Sequence, residues 1–282
     1  MRLYILLLIL AVFNHTGFSQ TNNSEKPKLV VGIVIDQMRN DYIDRFWNRY
    51  SDDGFKRLVN DGYRFTNGHF NYVPTYTAPG HTSIYTGTTP ATHGIIGNNW
   101  FDKKLDASVY CAGDTSVESV GTIDDAGMMS PHRMTVTTIA DENRLATQMR
   151  GKTIGVALKD RGAILPAGHT ANAAYWFHGK DEGRWISSSF YMESLPQWVV
   201  EFNNSGKAES YFKTWNTLYP IESYVESGLD MNTFEGGFKG KETATFPYDL
   251  QKLRADNNNF ELLKAVAFGN DLTTDFAIAA IE

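Results

Sequence analysis

Residues 28–35 read Lys-Leu-Val-Val-Gly-Ile-Val-Ile, a continuous, largely β-branched apolar run that ends at Asp36. Strands covered on both faces by helices read as such unbroken runs, whereas half-exposed strands alternate apolar with polar residues. The run therefore predicts an α/β protein with a central, mostly parallel sheet flanked by helices. It also puts Asp36 at the carboxyl end of a strand, where open α/β sheets bind their ligands. The bland alternative is that Asp36 only caps a turn.

The chain that follows fits this class. Apolar residues at helical spacing (Tyr42, Phe46, Tyr50, Phe55, Leu58) predict a helix from Asp41 to Leu58, Gly62 closes it, and Tyr63 to Phe70 is again β-rich. Further on, the pattern predicts a helix around Thr135 to Met149 and a strand from Thr153 to Leu158. Ala173 to Phe177 and Trp185 to Tyr191 read as β-rich pieces. Residues from about 170 to 260 are rich in Asn, Gly, Ser and aromatics, show no repeat, and read as a cap or elaboration. Leu272 to Ile281 has a helical apolar pattern with no Gly, Pro or basic last turn before Glu282, which predicts a domain, residues 28–282, truncated at its C-terminus.

The start has the order of a secretory signal peptide: Met1-Arg2-Leu3, an apolar run from Tyr4 to Phe13, then a polar stretch to Ser19, near which cleavage is expected. A membrane anchor is the competing reading, but a spanning helix needs roughly 20 residues and this run is about half that. The mature protein is expected in the periplasm or outside the cell, with no membrane contact after cleavage. Cys111 is the one cysteine in the sequence, so no internal disulfide can form, which suits a bacterial periplasm better than a disulfide-rich pathway. A formal net charge of -6 argues against nucleic acid as a specific partner, because neutralising a phosphate backbone takes clustered Lys and Arg. An anionic small molecule would need positive charge concentrated locally.

The segment Val73 to Gly87 (VPTYTAPGHTSIYTG) reads as a loop entering a short helix, with Pro79 in the first turn and Thr77 near the N-terminus. Free backbone N–H groups and the positive end of the helix dipole favour a phosphate there. A nearby metal could turn the poorly acidic Thr77 hydroxyl into a nucleophile. Thr77 could equally serve only as a cap.

Four segments in order resemble the phosphate-irrepressible, zinc-dependent alkaline phosphatases of Gram-negative bacteria. They are residues 28–42 (KLVVGIVIDQMRNDY), 73–87, Thr92 to Asp102 (THGIIGNNWFD) and Leu158 to His169 (LKDRGAILPAGH). The resemblance covers nearly the whole mature chain and implies an alkaline-phosphatase-like sandwich hydrolysing small-molecule phosphate monoesters with two zinc ions; a monomer is expected. By position it makes Asp36 a zinc ligand, Thr77 the nucleophile on the same ion, Asn98 a donor to a phosphate oxygen, and Lys159 with Arg161 a clamp on the phosphate. Those residue types suit the roles: a neutral amide donor, a compact charge, and a planar fork. The reaction would proceed by two displacements with a phosphothreonine between them. Without the resemblance, Asn98 reads as a turn residue, and Lys159 and Arg161 as a solvated strand end. His81, His93 and His169 are taken as structural.

In that family the remaining zinc ligands arrive later, as an Asp-x-x-x-His pair, an Asp-His dipeptide and a further His. Neither of the first two patterns occurs here. Tetrahedral zinc needs three or four protein ligands, so the chain by itself is expected to be inactive. Rival readings fare worse. Ala146 to Thr153 (ATQMRGKT) satisfies a relaxed Walker A spelling, but the expected helix precedes it and the strand follows, the reverse of a P-loop. No Gly-x-Ser-x-Gly elbow appears. A phosphodiesterase or nucleotide pyrophosphatase of the same superfamily is the enzymatic alternative, and a non-catalytic secreted binding protein the alternative of another class.

Overall fold

The structure, a computed structural model, describes residues 27–180 and 183–282, so the expected signal peptide lies outside the described residues. The chain divides into a unit ending at Ile35 and a unit from Asp36 to Glu282. In the first, residues 29–35 carry no ladder of hydrogen bonds, and Leu29, Val30, Val31, Ile33 and Ile35 are exposed. The strand expected over Lys28 to Ile35 is thus not formed, because a β-rich segment becomes a strand only when a neighbour takes its N–H and C=O groups.

The second unit begins with two short helices, α1 (Asp41–Arg45) and α2 (Phe55–Asp61), joined through a 3₁₀ turn at Trp47–Arg49. The single helix expected over Asp41 to Leu58 is therefore broken, and Gly62 caps α2 as anticipated. Tyr63 to Phe70 also fails to form the expected strand, leaving Tyr63 and Phe65 each 81% exposed.

Next come α3 (Thr77–Thr86), α4 (Pro90–His93) and a hairpin of β1 (Asn99–Asp102) with β2 (Ala107–Tyr110). The remaining elements are β3 (Ser119–Val120), α5 (Ile139–Ala146), β4 (Ile154–Ala157), α6 (Asp160–Ala167), β5 (Ala173–His178), β6 (Arg184–Ser188), α7 (Gln197–Asn204), β7 (Thr214–Trp215), β8 (Tyr248–Asp249), α8 (Leu250–Leu253) and α9 (Phe268–Ile281). Thr138 caps α5 through a reciprocal box with Asp141. With α5 before residues 147–153 and β4 after them, the P-loop order is absent at that segment.

The main sheet runs β3-β6-β5-β4, and only β4 and β5 pair in parallel. Among the described residues it is mixed rather than mostly parallel, since the two apolar runs expected to extend it do not pair. β5 and β6 lie at its centre, so the elaboration expected from about residue 170 begins inside the core sheet, and the irregular part lies beyond Ser188.

Strand alternation sorts two cores. Ala173, Tyr175, Phe177 and Trp185 face one side and pack with Phe276 of α9, Leu250 and Leu263. Ala174, Trp176 and Ile186 face the other and pack with Ala163, Ile164 and Leu165 of α6, Ala78 of α3, Ile95 and Cys111. Gly155 lets α6 approach β4: a Cβ there would stand 2.3 Å from the Ala163 carbonyl oxygen. α6 and α3 also pack on each other. This second core holds the two helix N-termini on which the candidate site is built.

Candidate active site

Thr77 is the first residue of α3, with extended Tyr76 as N-cap. Its side-chain oxygen donates to Asp36 Oδ2 at 2.9 Å, across 41 residues of sequence. Gln37, directly after Asp36, has φ of 59°, in the left-handed region that non-glycine residues seldom occupy. That conformation turns the chain sharply just beyond the carboxylate.

The first turn of α3 is largely spent. Pro79 has no N–H, and the Ala78 N–H donates to Asn98 Oδ1 at 2.9 Å. Among the described residues no hydrogen bond engages the Thr77 N–H, so the open donor of the turn belongs to Thr77 itself. Because the oxygen of the Asn98 amide is occupied, its NH₂ is the end left for a ligand. The Asn98 carbonyl accepts from the Cys111 N–H at 2.9 Å, tying it to β2.

Lys159 is the N-cap residue of α6 and Arg161 lies in its first turn. Lys159 is exposed and its ammonium has no partner among the described residues. Arg161 is half-buried; its Nη1 donates to the Tyr110 hydroxyl at 3.0 Å and its Nε is buried with no hydrogen-bond partner. A buried guanidinium N–H without an acceptor is costly, whereas Nη2 is neither buried nor engaged among the described residues.

Three histidines prominent in the sequence have structural partners. His81 is 8% exposed with Nδ1 2.8 Å from the Thr77 carbonyl oxygen, and burial lowers its pKa against the opposing pull of Asp36. His93 lies behind α3, with Nε2 3.0 Å from Ser83 Oγ. His169 lies 3.6 Å from buried Asp141 and is held protonated to higher pH by it.

Asp36 Oδ2 and Thr77 Oγ1 are spaced close to one edge of a tetrahedral metal site, roughly 3.3 Å for bonds of about 2 Å. As donors they suit a divalent cation. Among the described residues no cluster of three or more His, Cys, Asp or Glu side chains completes the set. Sequence reasoning missed Tyr110 and Asp160, which surround Arg161. Asp160 lay inside a quoted motif, whereas nothing in Ser-Val-Tyr-Cys marks Tyr110.

The family model for type I phosphodiesterase / nucleotide pyrophosphatase matches residues 30–251. A protein of Myroides odoratus named calcium-transporting ATPase is 52% identical over 92% of this chain and 47% of its own length. Alkaline phosphatase PhoV of Synechococcus elongatus is 52% identical over 91% of this chain and 46% of its own. Alkaline phosphatase PafA of Elizabethkingia meningoseptica is 47% identical over 98% of this chain and 51% of its own. The crystal structure of wild-type PafA superposes with a TM-score of 0.88, covering 92% of this chain and 50% of that one. The fold is thus alkaline-phosphatase-like, and the chain spans about half the length of the curated relatives it matches.

Proposed function

The chain belongs to the type I phosphodiesterase / nucleotide pyrophosphatase family, and from that membership we propose that the complete protein hydrolyses phosphate monoesters through a phosphothreonine on Thr77. The observation that carries this reading is the Thr77 hydroxyl at the first residue of α3, hydrogen-bonded to Asp36 at 2.9 Å. The relatives named alkaline phosphatases, PhoV and PafA, support it.

Asp36 and Thr77 would hold one of two zinc ions, with further ligands from outside the described residues. When bound, zinc lowers the pKa of the hydroxyl and offsets charge on the leaving oxygen. The chain's own residues do the rest. The hydrogen bond to Asp36 holds the Thr77 oxygen beside the carboxylate that would share the ion with it. The open Thr77 N–H and the Asn98 NH₂ meet one phosphate oxygen, and Lys159 with the Arg161 guanidinium meets the others. Attack forms the bond from Thr77 Oγ to phosphorus as the bond to the alcohol breaks, and water then releases phosphate and restores Thr77.

A monoester dianion carries one more charged oxygen than a diester, and two cations beside the site complement it. Phosphodiester hydrolysis is the second reading, favoured by the family description itself. Comparing p-nitrophenyl phosphate with bis-p-nitrophenyl phosphate on the complete protein separates the two, and a diester preference overturns the first. Two donors hold zinc weakly, so this chain alone is read as inactive. Zinc analysis of the chain beside the complete protein tests that.

The leader-like start supports export to the periplasm, and among the described residues no helix is long and apolar enough to cross a membrane. The reading is of a monomer acting on small phosphate esters, with the net charge of -6 disfavouring nucleic acid.

A further inference from the structure

Asp160 and Arg161 are adjacent in sequence and opposite in charge, yet the guanidinium does not pair with the carboxylate. The Tyr110 hydroxyl stands between them. It donates to Asp160 Oδ1 at 2.5 Å and accepts from Arg161 Nη1 at 3.0 Å, while the Arg161 backbone N–H takes the same Asp160 oxygen at 2.6 Å. Tyr110 is the last residue of β2 and precedes Cys111, which is fully buried.

A direct Asp–Arg pair is commonly a two-bond fork, which would use two guanidinium donors and cancel the charge locally. With a phenol interposed, one Nη1 proton is engaged, Nε is buried without a partner, and among the described residues no hydrogen bond engages Nη2, which is not buried. Burial and the Asp160 charge push the Tyr110 hydroxyl well above its ordinary range, so it stays a neutral phenol. Its single proton goes to Asp160, and its oxygen is left to accept from Arg161.

We propose that Tyr110, braced by Asp160, is a positioning residue that holds the Arg161 guanidinium with its open Nη2 turned to the substrate phosphate. This rests on the monoesterase reading of the site. Without the hydroxyl, Arg161 is free to fold onto Asp160 and its charge is lost to the phosphate.

The test is a coupling measurement on the complete zinc-loaded protein. Tyr110→Phe keeps the ring and removes the hydroxyl. It should lower kcat/KM for p-nitrophenyl phosphate roughly tenfold, the scale of a hydrogen bond to a charged group, and weaken inhibition by inorganic phosphate in parallel. In an Arg161→Ala background the same substitution should change kcat/KM by less than about twofold, since the group it positions is gone. Asp160→Ala, which removes the acceptor that braces the phenol, serves as second variant should Tyr110→Phe fold poorly, and the same coupling to Arg161→Ala is expected. Equal losses with and without Arg161, or no loss in either background, overturn the proposal. A wild-type protein without phosphate-ester hydrolysis overturns the monoesterase reading together with this one, whereas an active wild type with additive losses overturns this one alone.

Discussion

The Ala78 backbone N–H donates to the side-chain oxygen of Asn98 at 2.9 Å, which links the first turn of α3 to the residue just before β1. The contact orients the Asn98 NH₂ away from the helix and also satisfies one of the N–H groups a helix start leaves unpaired.

Asn98→Ala should therefore lower kcat/KM for p-nitrophenyl phosphate roughly 10²- to 10³-fold, as expected for losing one preorganised donor to a developing oxyanion. Steady-state kinetics of the complete protein decide it. Full activity in the variant would remove Asn98 from the site.

Thr77 should carry the covalent phosphoryl group during turnover. Rapid acid quench followed by peptide mass spectrometry is expected to find the adduct on Thr77, and Thr77→Ala should abolish both the adduct and activity. An adduct at another residue would require a different nucleophile.

Much of this was legible in the sequence, though unevenly. The helix at Thr77 and the first-turn Pro79 followed from local chain chemistry, as did the β4 and β5 segments, because turn residues and β-branched runs act within a few residues. Lys28 to Ile35 and Tyr63 to Phe70 read equally well as strands and form none, since ladder partners are set by distant parts of the chain. The proximity of Asp36 to Thr77 came through the family motifs, not from spacing, and the structure puts the two in hydrogen-bond contact. Tyr110 was invisible because its role depends on where the β1–β2 hairpin meets α6, a relation that no residue pattern encodes.

His93 should make stability depend on pH. Its Nδ1 accepts from the Ile95 N–H at 3.1 Å, so Nε2 carries the proton toward Ser83 Oγ, which the Tyr72 hydroxyl also meets at 2.7 Å. A second proton would set a donor against the Ile95 N–H, and burial already pushes the pKa from 6.5 down to about 4. The folded state thus binds fewer protons than the unfolded one between those values. The stability contributed by neutral His93 is full above about 6.5 and is lost as pH falls toward about 4, with a slope up to about 1.4 kcal/mol per pH unit. Denaturant unfolding at several pH values should show a shallower slope in His93→Gln than in wild type, and identical slopes would exclude His93 as the source.

Lys159 and Arg161 should differ in what their loss costs. Lys159 is exposed, caps the start of α6 through its backbone, and its ammonium touches nothing among the described residues. Lys159→Ala should leave the melting temperature nearly unchanged, because no packing or ion pair is lost. Its effect should fall on catalysis: a compact cation contributes mainly where the substrate carries two negative charges, so monoester kcat/KM should drop about tenfold or more while diester hydrolysis changes little. Arg161→Ala should lower both, since its open Nη2 can meet an oxygen present in either substrate, and it should also cost stability by leaving the Tyr110 hydroxyl short of a partner. Parallel assays with p-nitrophenyl phosphate and bis-p-nitrophenyl phosphate, alongside thermal melts, measure each of these. If Lys159→Ala slowed both substrates by the same factor, the two cations would not discriminate by substrate charge, and the preference for monoesters would need another source.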